Sequence, residues 1–309
     1  MQQKYIPSEH RTETKYIRQV SLDVRQPKSL LKVLNSLLEK YLKIRVVKSN
    51  AGLRKEDKFR LIDAHLNKVK NEKLASLLVS YYRNLGFVLT AQDLEQQITK
   101  FDEVFWNRPF SSLSNGMGYN NALITYLLIH LSQPKLIAES GVWRGFTSYI
   151  LHTASSMTCK LKCFDINFSP LEWKSDRADY YEHDISKEKH IVTTDELSVF
   201  LFDDHVAHYD RLLLAAEANA NFIIVDDDVS AITVHSDGVP AIPTAAMIYE
   251  YHDIPKRFKW QSNKKIMEAD INNIDISTIK ELYLYSPFPD LKFITGYDNS
   301  SFSSVLKRK

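Results

Sequence analysis

The chain has 309 residues, of which 44% are hydrophobic and 25% charged, a composition typical of a folded globular protein with a sizeable core. This composition excludes a disordered, collagen-like or coiled-coil chain. With 40 Lys and Arg against 38 Asp and Glu, the net charge of +2 is too balanced to indicate nucleic-acid binding through bulk electrostatics. No nucleic-acid partner is therefore expected.

Three features of the sequence bear on its compartment. The N-terminal segment MQQKYIPSEHRTETKYIRQV carries charges throughout and lacks the apolar core of a secretory signal. The longest apolar stretch, ALITYLLIHL, is about half as long as a membrane-spanning helix, so no membrane span is expected. Cys159 and Cys163 have no second pair to complete a zinc site, and we interpret them as small buried hydrophobic residues. A cytoplasmic, reduced protein is the prediction.

The N-terminal third of the chain shows helical periodicity. From about Pro27 to Trp106, apolar residues recur with helical spacing and strand signals are nearly absent. This pattern predicts a helical N-terminal subdomain over residues 1–106. The following segment, 107–120 (NRPFSSLSNGMGYN), is rich in turn-forming residues and is interpreted as a linker or as a loop over the active site.

The pattern changes over residues 121–309. An amphipathic helix is predicted near Asn121 to Leu131, and the apolar runs KLIAESG, LKCFDI, SVFLFDD and FIIVDDD then alternate with helical stretches. This alternation is typical of a mostly parallel sheet with helices on both faces. The last residues predict an antiparallel hairpin at the sheet edge. The predicted fold class is α/β, a Rossmann-like, doubly wound sheet with an antiparallel C-terminal hairpin.

Acidic residues end four of these apolar runs. They are Glu139, Asp165, the pair Asp203 and Asp204, and the run from Asp226 to Asp228. Ligands bind beyond the carboxyl ends of strands in an open parallel sheet, so these acids predict a functional rim. One such acid could instead cap the next helix, but four in succession favour a ligand site.

The loop within AESGVWRGFTS discriminates between cofactors. It contains Gly141 and Gly145 but lacks the G-x-G-x-x-G spacing that lets a backbone wrap a pyrophosphate, which disfavours a dinucleotide. Glu139 would repel a phosphate and attract a ligand with ammonium and sulfonium groups. Asp165 follows Gly141 by 24 residues, near the spacing at which an acid binds ribose hydroxyls. The combination favours S-adenosylmethionine (SAM) as the cofactor.

With these motifs, the region from about Gly118 to Lys309 resembles the class I SAM-dependent methyltransferases. AESGVWRGFTS is similar to the glycine-rich first motif of that family, LKCFDI to its second motif, and YEHDI to the region that reaches the adenine. The resemblance implies the following SAM-binding residues: Glu139, Ser140, Gly141, Gly145, Asp165, His183 and Asp184.

A narrower resemblance lies in FLFDDHVAHYDRLLLAAEANANFIIVDDD, which is similar to metal-dependent small-molecule O-methyltransferases of the catechol, caffeoyl-CoA, macrolide-sugar and cephalosporin-hydroxylase-like groups. By position, it implies that Asp203, Asp226 and Asp227 ligate Mg²⁺ or another hard divalent cation. Such a metal would lower the pKa of an acceptor hydroxyl. The catechol and caffeoyl-CoA groups have a lysine three residues after the first metal acid, where this chain has Val206.

Because this chain has Val206 in place of that lysine, the identity of the catalytic base stays open. His205 and His208 flank that position and titrate near neutrality, so either could accept the proton beside Asp203. The structural alternatives are a capping or packing role for His205 and a solvated position for His208. The implied acceptor is a small molecule or glycan, with a sugar hydroxyl first and an aromatic diol second. The loop HSDGVPAIPTAAM resembles an acceptor-side lid, and a contact between copies in a homo-oligomer is its alternative.

Two other functions stay open on the sequence. A nucleotide-sugar glycosyltransferase is one, because the run from Asp226 to Asp228 matches the D-x-D pattern that holds a metal on a diphosphate. Such an enzyme would not need the AESGVWRG turn or the acid at Asp165. A non-catalytic scaffold with a methyltransferase fold is the other, and the intact set of acids argues against it.

Overall fold

The computed structural model describes residues 18–22, 44–48, 54–113, 116–188, 191, 196–233, 241–262, 265–272 and 274–309. The chain divides into two compact units, Met1–Leu53 and Arg54–Lys309. In the first unit, strands β1 (Arg18–Leu22) and β2 (Ile44–Lys48) pair in parallel. The expectation of helix at β2 is wrong, because its sequence IRVVK is a β-branched run that favours a strand. The helix predicted around residues 30–38 lies outside the described residues.

The second unit begins with a single 3₁₀ turn at Lys55–Asp57. Three helices follow it: α1 (Ala64–Asn84), α2 (Ala91–Trp106) and α3 (Tyr119–Ser132). Asp63 and Thr90 cap the first two, since their side-chain oxygens accept the exposed backbone N–H groups of the first turn. Helices α1 and α2 thus form as predicted, but they belong to the same compact unit as the sheet described below. The domain boundary at residues 107–120 stays a prediction.

Helix α3 differs from its expected amphipathic character. Every residue from Tyr119 to Ile129 is buried, because the helix packs between α2 and the helix that follows the first strand of the main sheet. A helix that is covered on all sides needs an apolar or hydrogen-bonded side chain at each position. The hydroxyl of Tyr82 on α1, for example, donates to the carbonyl of Ile124 at 2.7 Å.

The main sheet contains seven strands in the described part of the chain. They are β3 (Leu136–Ser140), β4 (Lys160–Phe164), β5 (Ala178–Tyr181), β6 (Ser198–Phe202), β7 (Phe222–Val225), β10 (Tyr283–Pro287) and β11 (Ser304–Arg308). Their order is β10-β11-β7-β6-β3-β4-β5, and β11 runs antiparallel to both of its neighbours while β3 to β7 are parallel. The predicted Rossmann-like sheet with an antiparallel C-terminal hairpin is confirmed. A further hairpin, β8 (Arg257–Ser262) with β9 (Lys265–Asp270), was not predicted.

Helices cover both faces of this sheet. Helices α1 to α3 and α4 (Phe146–Ala154) share a hydrophobic core with one face, to which Ile137 and Val199 contribute. Helices α5 (His208–Glu217), α6 (Ala245–Tyr249) and α7 (Ile276–Leu282) share a second core with the other face, to which Ala138 and Phe200 contribute. Adjacent strand residues therefore enter opposite cores, which explains why the strands are apolar at nearly every position. A short helix, α8 (Lys292–Thr295), precedes β11. None of the described helices is both long and apolar enough to cross a membrane.

Candidate ligand-binding and active site

The strand-end acids meet at one edge of the sheet. Backbone pairing continues one residue beyond the strands, since the N–H of Asp203 donates to the Ser140 carbonyl at 2.8 Å. In the same way, the N–H of Asp226 donates to the Phe202 carbonyl at 3.0 Å. Asp165 follows β4 directly, and β4 is the parallel neighbour of β3. The acids that follow β4, β6 and β7, and Glu139 near the end of β3, are thus held at the carboxyl edge, where the sequence predicted a functional rim.

A cavity of about 450 Å³ opens at this edge. The loops after β3, β4, β5 and β6 form one part of its wall, and the segment before α3 forms another. Of the predicted SAM-binding residues, five line it: Ser140, Gly141, Asp165, His183 and Asp184. The predicted catalytic residues Asp203 and His205 line it too.

The turn after β3 needs glycine at both predicted positions. Gly141 has a φ of +91°, and a Cβ atom there would lie 2.1 Å from the carbonyl oxygen of Asp203. Gly145, at the start of α4, has a φ of +86°, and its Cβ would lie 2.3 Å from the carbonyl oxygen of Trp173. A left-handed φ and a close backbone approach both exclude larger residues. Gly145 therefore shapes the turn, although it is not part of the cavity wall.

Asp165 fixes the same turn through its carboxylate. Its Oδ2 atom accepts hydrogen bonds from the backbone N–H groups of Val142 and Trp143, each at 2.9 Å. Its Oδ1 atom accepts the N–H of Asn167 at 3.0 Å. Since a carboxylate oxygen has two lone pairs, Oδ1 of Asp165 can still accept a hydrogen bond from a hydroxyl group of a ligand in the cavity. The structure thus gives Asp165 a structural role in the turn that the sequence did not predict.

Glu139 is buried beneath the site and is not part of the cavity wall. Its side chain accepts a hydrogen bond from the Ser148 hydroxyl at 2.5 Å, and Cys163 Sγ lies 3.4 Å from the same oxygen. Burial raises the pKa of Glu139 to about 7, although the hydrogen bonds lower it. The expectation that Glu139 selects the ligand by its charge is therefore not supported by its position.

Arg211 on α5 joins two acids of the cavity wall. Its guanidinium group contacts Asp184 at 2.7 Å and Asp204 at 2.8 Å, and it is almost fully buried. The hydrogen bond with Arg211 lowers the pKa of Asp184. The hydroxyl of Ser140 donates to Asp204 at 2.5 Å. This network holds the ends of β3, β5 and β6 in fixed positions, so the SAM-binding role predicted for Asp184 coexists with a structural one.

The three predicted metal ligands lie within electrostatic reach of each other. Burial and the charges of Asp226 and Asp227 raise the pKa of Asp203 well above its ordinary value. Burial and the charge of Asp227 likewise raise the pKa of Asp226. Asp226 accepts hydrogen bonds from the hydroxyls of Ser301 and Ser303, which precede β11.

The fit of a divalent cation to these acids is partial. The donor atoms are carboxylate oxygens, which suit Mg²⁺. In the described residues, however, no group of three or more His, Cys, Asp or Glu side chains is arranged to hold a metal ion. Asp226 is held by two serine hydroxyls, and Asp227 by His205. The acids fit a hard cation in their chemistry but not in their arrangement, and the metal centre stays a prediction.

The two candidate bases occupy different environments. His205 lines the cavity with 61% of its side chain exposed, and its Nδ1 atom lies 2.8 Å from Asp227 Oδ2. That hydrogen bond raises the pKa of His205. His208 is 2% exposed, and its Nδ1 atom accepts the N–H of Ala245 at 3.2 Å, which supports the start of α6. His205 is thus placed to contact a ligand, whereas His208 is not. The predicted solvated position of His208 is wrong.

Several residues of the site were not predicted. Phe110, Leu113 and Met117, from the segment before α3, line the cavity, and the turn-rich composition of that segment indicated only that a loop was present. Arg211 and the serine pair at 301 and 303 reach the site through long-range contacts, for which the sequence has no local signal. In the predicted acceptor-side loop, residues 235–240 lie outside the described residues.

No protein-family model matches the sequence, and no curated protein matches it. The chain is similar to the solved structure of the O-methyltransferase TomG from Streptomyces achromogenes in complex with SAM (13% identity, 74% of this chain and 95% of that chain, TM-score 0.37). It is also similar to an O-methyltransferase from Bacillus cereus in complex with S-adenosylhomocysteine (13%, 69% and 90%, TM-score 0.38). A third such structure is that of apo CmcI-N160 (13%, 62% and 72%, TM-score 0.36).

The order and direction of the strands identify the type of fold. A parallel sheet ordered β7-β6-β3-β4-β5, with β11 inserted antiparallel between β7 and β10, is a Rossmann-like, doubly wound sheet with an antiparallel C-terminal hairpin. Its ligand cavity lies at the carboxyl edge, beside the point where the strand order reverses between β3 and β6.

Proposed function

We propose that this chain is a SAM-dependent methyltransferase. The observation that carries the proposal is the cavity at the carboxyl edge of the sheet, which is bordered by the turn at Gly141 and by the carboxylate of Asp165. In a Rossmann-like fold, the backbone of the turn after the first strand contacts the ligand, and the acid after the second strand accepts hydrogen bonds from ribose hydroxyl groups. Asp165 contacts the turn through Val142 and Trp143, so the two features form one surface.

The charge of the cavity wall supports SAM over a phosphate-bearing ligand. Asp165, Asp184, Asp203 and Asp204 all line it. Arg144 also lines it, but its guanidinium group makes two hydrogen bonds with Glu172, at 2.6 and 2.7 Å. Asp184 and Asp204 are paired with Arg211, but among the described residues no basic side chain forms an ion pair with Asp165 or Asp203. A diphosphate would therefore meet two carboxylates and an arginine that is already paired, whereas a sulfonium and an ammonium group are attracted to such a wall. This observation disfavours the nucleotide-sugar glycosyltransferase.

The chemistry requires few protein groups. SAM supplies a methyl group bonded to a sulfonium sulfur, and transfer to an oxygen is an in-line displacement. The protein must therefore hold the acceptor oxygen in line with the methyl carbon and remove its proton. We assign proton removal to His205, because its Nδ1–H donates to Asp227, which leaves Nε2 as the acceptor. Asp227 orients the imidazole and stabilises its protonated form.

Ligand binding tests the cofactor. The purified protein is titrated with SAM and, separately, with UDP-glucose in an isothermal calorimeter. We expect saturable binding of SAM, and a large loss of affinity in Asp165→Ala. Asp102→Asn serves as the control, because Asp102 pairs with Lys70 in the helical layer and is not part of the cavity wall. Binding of UDP-glucose alone would contradict the proposal and favour the glycosyltransferase.

The finer proposal concerns the acceptor and the metal. We propose O-methylation of a hydroxyl on a sugar, glycan or small natural product, assisted by a divalent cation at Asp203, Asp226 and Asp227. The clustering of these carboxylates supports the cation, and the hydrogen bonds of Asp226 and Asp227 to other side chains oppose it. A cytoplasmic location and a homo-oligomer also remain proposals from the sequence.

Turnover with an acceptor library separates the parts of this finer proposal. S-adenosylhomocysteine release is measured with sugars, glycans and aromatic diols, with Mg²⁺ and with EDTA. We expect Asp226→Ala to abolish Mg²⁺-dependent turnover and to leave SAM affinity nearly unchanged. Equal loss of turnover and affinity would assign Asp226 to the cofactor site or to the structural core. SAM binding without turnover on any acceptor would favour a non-catalytic scaffold.

A further inference from the structure

Two described stretches before α3, residues 110–113 and 116–117 (the wall segment), contribute to one wall of the cavity, and a distant part of the chain holds them in place. Phe110, Leu113 and Met117 of this segment line the cavity. The 3₁₀ turn at Lys55–Asp57 lies more than fifty positions earlier in the chain and contacts the segment through buried acidic side chains. A single turn of this kind has little stability of its own, so its position depends on these contacts.

Asp57 makes the central contact. Its Oδ1 and Oδ2 atoms lie 3.1 and 3.0 Å from the backbone nitrogen of Leu113, which donates to them. Arg108 pairs with the same carboxylate at 3.0 Å, and the hydroxyl of Ser112 donates to it at 3.3 Å. The side chains of Asp57 and Arg108 are only 3% and 9% exposed. A buried carboxylate with this many donors is a built contact rather than a surface ion pair.

Two neighbours of Asp57 extend the contact to both sides of the segment. Arg54 donates from Nε to the carbonyl of Leu113 at 3.1 Å. Glu56, which is 5% exposed, accepts the backbone N–H of Tyr119 at 2.9 Å. A Cβ atom on Gly118 would lie 2.9 Å from the same carboxylate, so glycine leaves room for it. Leu113 in the wall segment and Tyr119, the first residue of α3, thus both have backbone groups that hydrogen-bond to the turn or its flanking residue.

The wall is also connected to the turn that borders the cofactor site. Arg144, which follows Gly141 in that turn, donates to the carbonyl of Ser112 at 2.9 Å. Asp57 and the glycine turn therefore both hydrogen-bond to Ser112. A shift of residues 110–113 would therefore move Phe110 and Leu113 in the cavity wall and would also disturb the turn that contains Gly141 and Arg144.

We propose that Asp57 is a positioning residue for the cofactor: it holds Phe110 and Leu113 in the geometry that closes the SAM cavity. This inference rests on the proposed function, because it assigns the cavity to SAM. The comparison is the pair of Lys70 with Asp102, which is also joined at 3.0 Å, with side chains 9% and 15% exposed, but lies in the helical layer and contacts Tyr119 rather than residues 108–113. Loss of either pair costs stability, whereas only loss of Asp57 frees the wall.

Hydrogen exchange tests the hold on the wall without any ligand. Exchange of the peptide covering residues 108–113 is followed by mass spectrometry in the wild type, Asp57→Asn and Asp102→Asn. We expect exchange at least about tenfold faster in Asp57→Asn and unchanged in Asp102→Asn. If Asp57→Asn folds poorly, Arg108→Lys keeps the charge beside Asp57 but loses the planar fork, and it should show a smaller change of the same sign. Unchanged exchange in both variants would overturn the proposal.

Calorimetry with SAM tests the consequence. If the wall is correctly placed only about one-tenth of the time, the apparent Kd for SAM rises about tenfold. We expect this change in Asp57→Asn and less than about a twofold change in Asp102→Asn. Faster exchange with unchanged SAM affinity would overturn the positioning role. A wild type that does not bind SAM would instead refute the proposed function and the cofactor assignment made here, while the exchange result would still decide whether Asp57 holds the wall.

Discussion

Replacing Gly141 with alanine tests how closely the first turn and the β6 end approach each other. At a φ of +91°, an alanine is strained by about 1–2 kcal/mol. Its Cβ atom would also lie 2.1 Å from the carbonyl oxygen of Asp203, a backbone atom that can move only with its strand. Overpacking of this kind costs about 1–3 kcal/mol. The expected loss in the free energy of unfolding is therefore about 2–5 kcal/mol.

Gly296→Ala is the matched control for this substitution. Gly296 also has a positive φ, of +75°, but the nearest atom to its added Cβ is 4.0 Å away. It should therefore lose only the conformational part, about 1–2 kcal/mol. Urea denaturation measures both losses, and calorimetry measures SAM affinity, which we expect to fall at least about tenfold only in Gly141→Ala because Asp203 must shift. Equal losses of stability in the two variants, or unchanged SAM affinity in Gly141→Ala, would refute the close approach.

Two further predictions concern ionisable groups. Burial raises the pKa of Glu139 from 4.5 to about 7, so its protonated form stabilises the fold below pH 4.5 and this contribution is lost as the pH rises through 7. Urea titrations measure the free energy of unfolding of the wild type and of Glu139→Gln. The value for the wild type, relative to that for Glu139→Gln, should fall by about 3 kcal/mol between pH 4.5 and pH 7. A difference between the two proteins that does not change with pH would contradict the burial of Glu139. His205→Gln should lower turnover by about 10²–10⁴-fold with SAM affinity preserved, as S-adenosylhomocysteine release and calorimetry would show. Full activity in His205→Gln would exclude His205 as the base.

Much of the sheet could be predicted because its signals are local. The runs KLIAES and SVFLFDD are short, apolar and end in acids, as expected for strands that are buried on both faces and open on a ligand site. The antiparallel β11 followed from the short strand-like runs at the chain end. By contrast, the amphipathic reading of α3 failed, because the helix is covered by other helices rather than by solvent. The sequence did carry this signal, because ALITYLLIHL is apolar at nearly every position rather than on one face.

The site was predictable in position but less so in the role of each residue. An acid at a strand end can face the ligand, as Asp203 does, or turn beneath the sheet, as Glu139 does. The difference follows from position, because Glu139 lies inside β3 and its side chain points to the same core as that of its neighbour Leu201, whereas Asp203 lies beyond the end of β6. The contact of Asp57 with Leu113 was likewise out of reach, because it joins segments that are far apart in the chain.

The way in which each acid is neutralised indicates where a cationic ligand would bind. Asp184 and Asp204 share Arg211, and Glu139 is stabilised in its protonated form. Asp203 lines the cavity, and among the described residues no basic side chain forms an ion pair with it. Burial and the neighbouring carboxylates raise its pKa, so the ionised form of Asp203 is unfavourable until a cation lies beside it. A positively charged ligand would stabilise that ionised form, and we therefore expect the sulfonium end of SAM, or a divalent cation, to lie closest to Asp203.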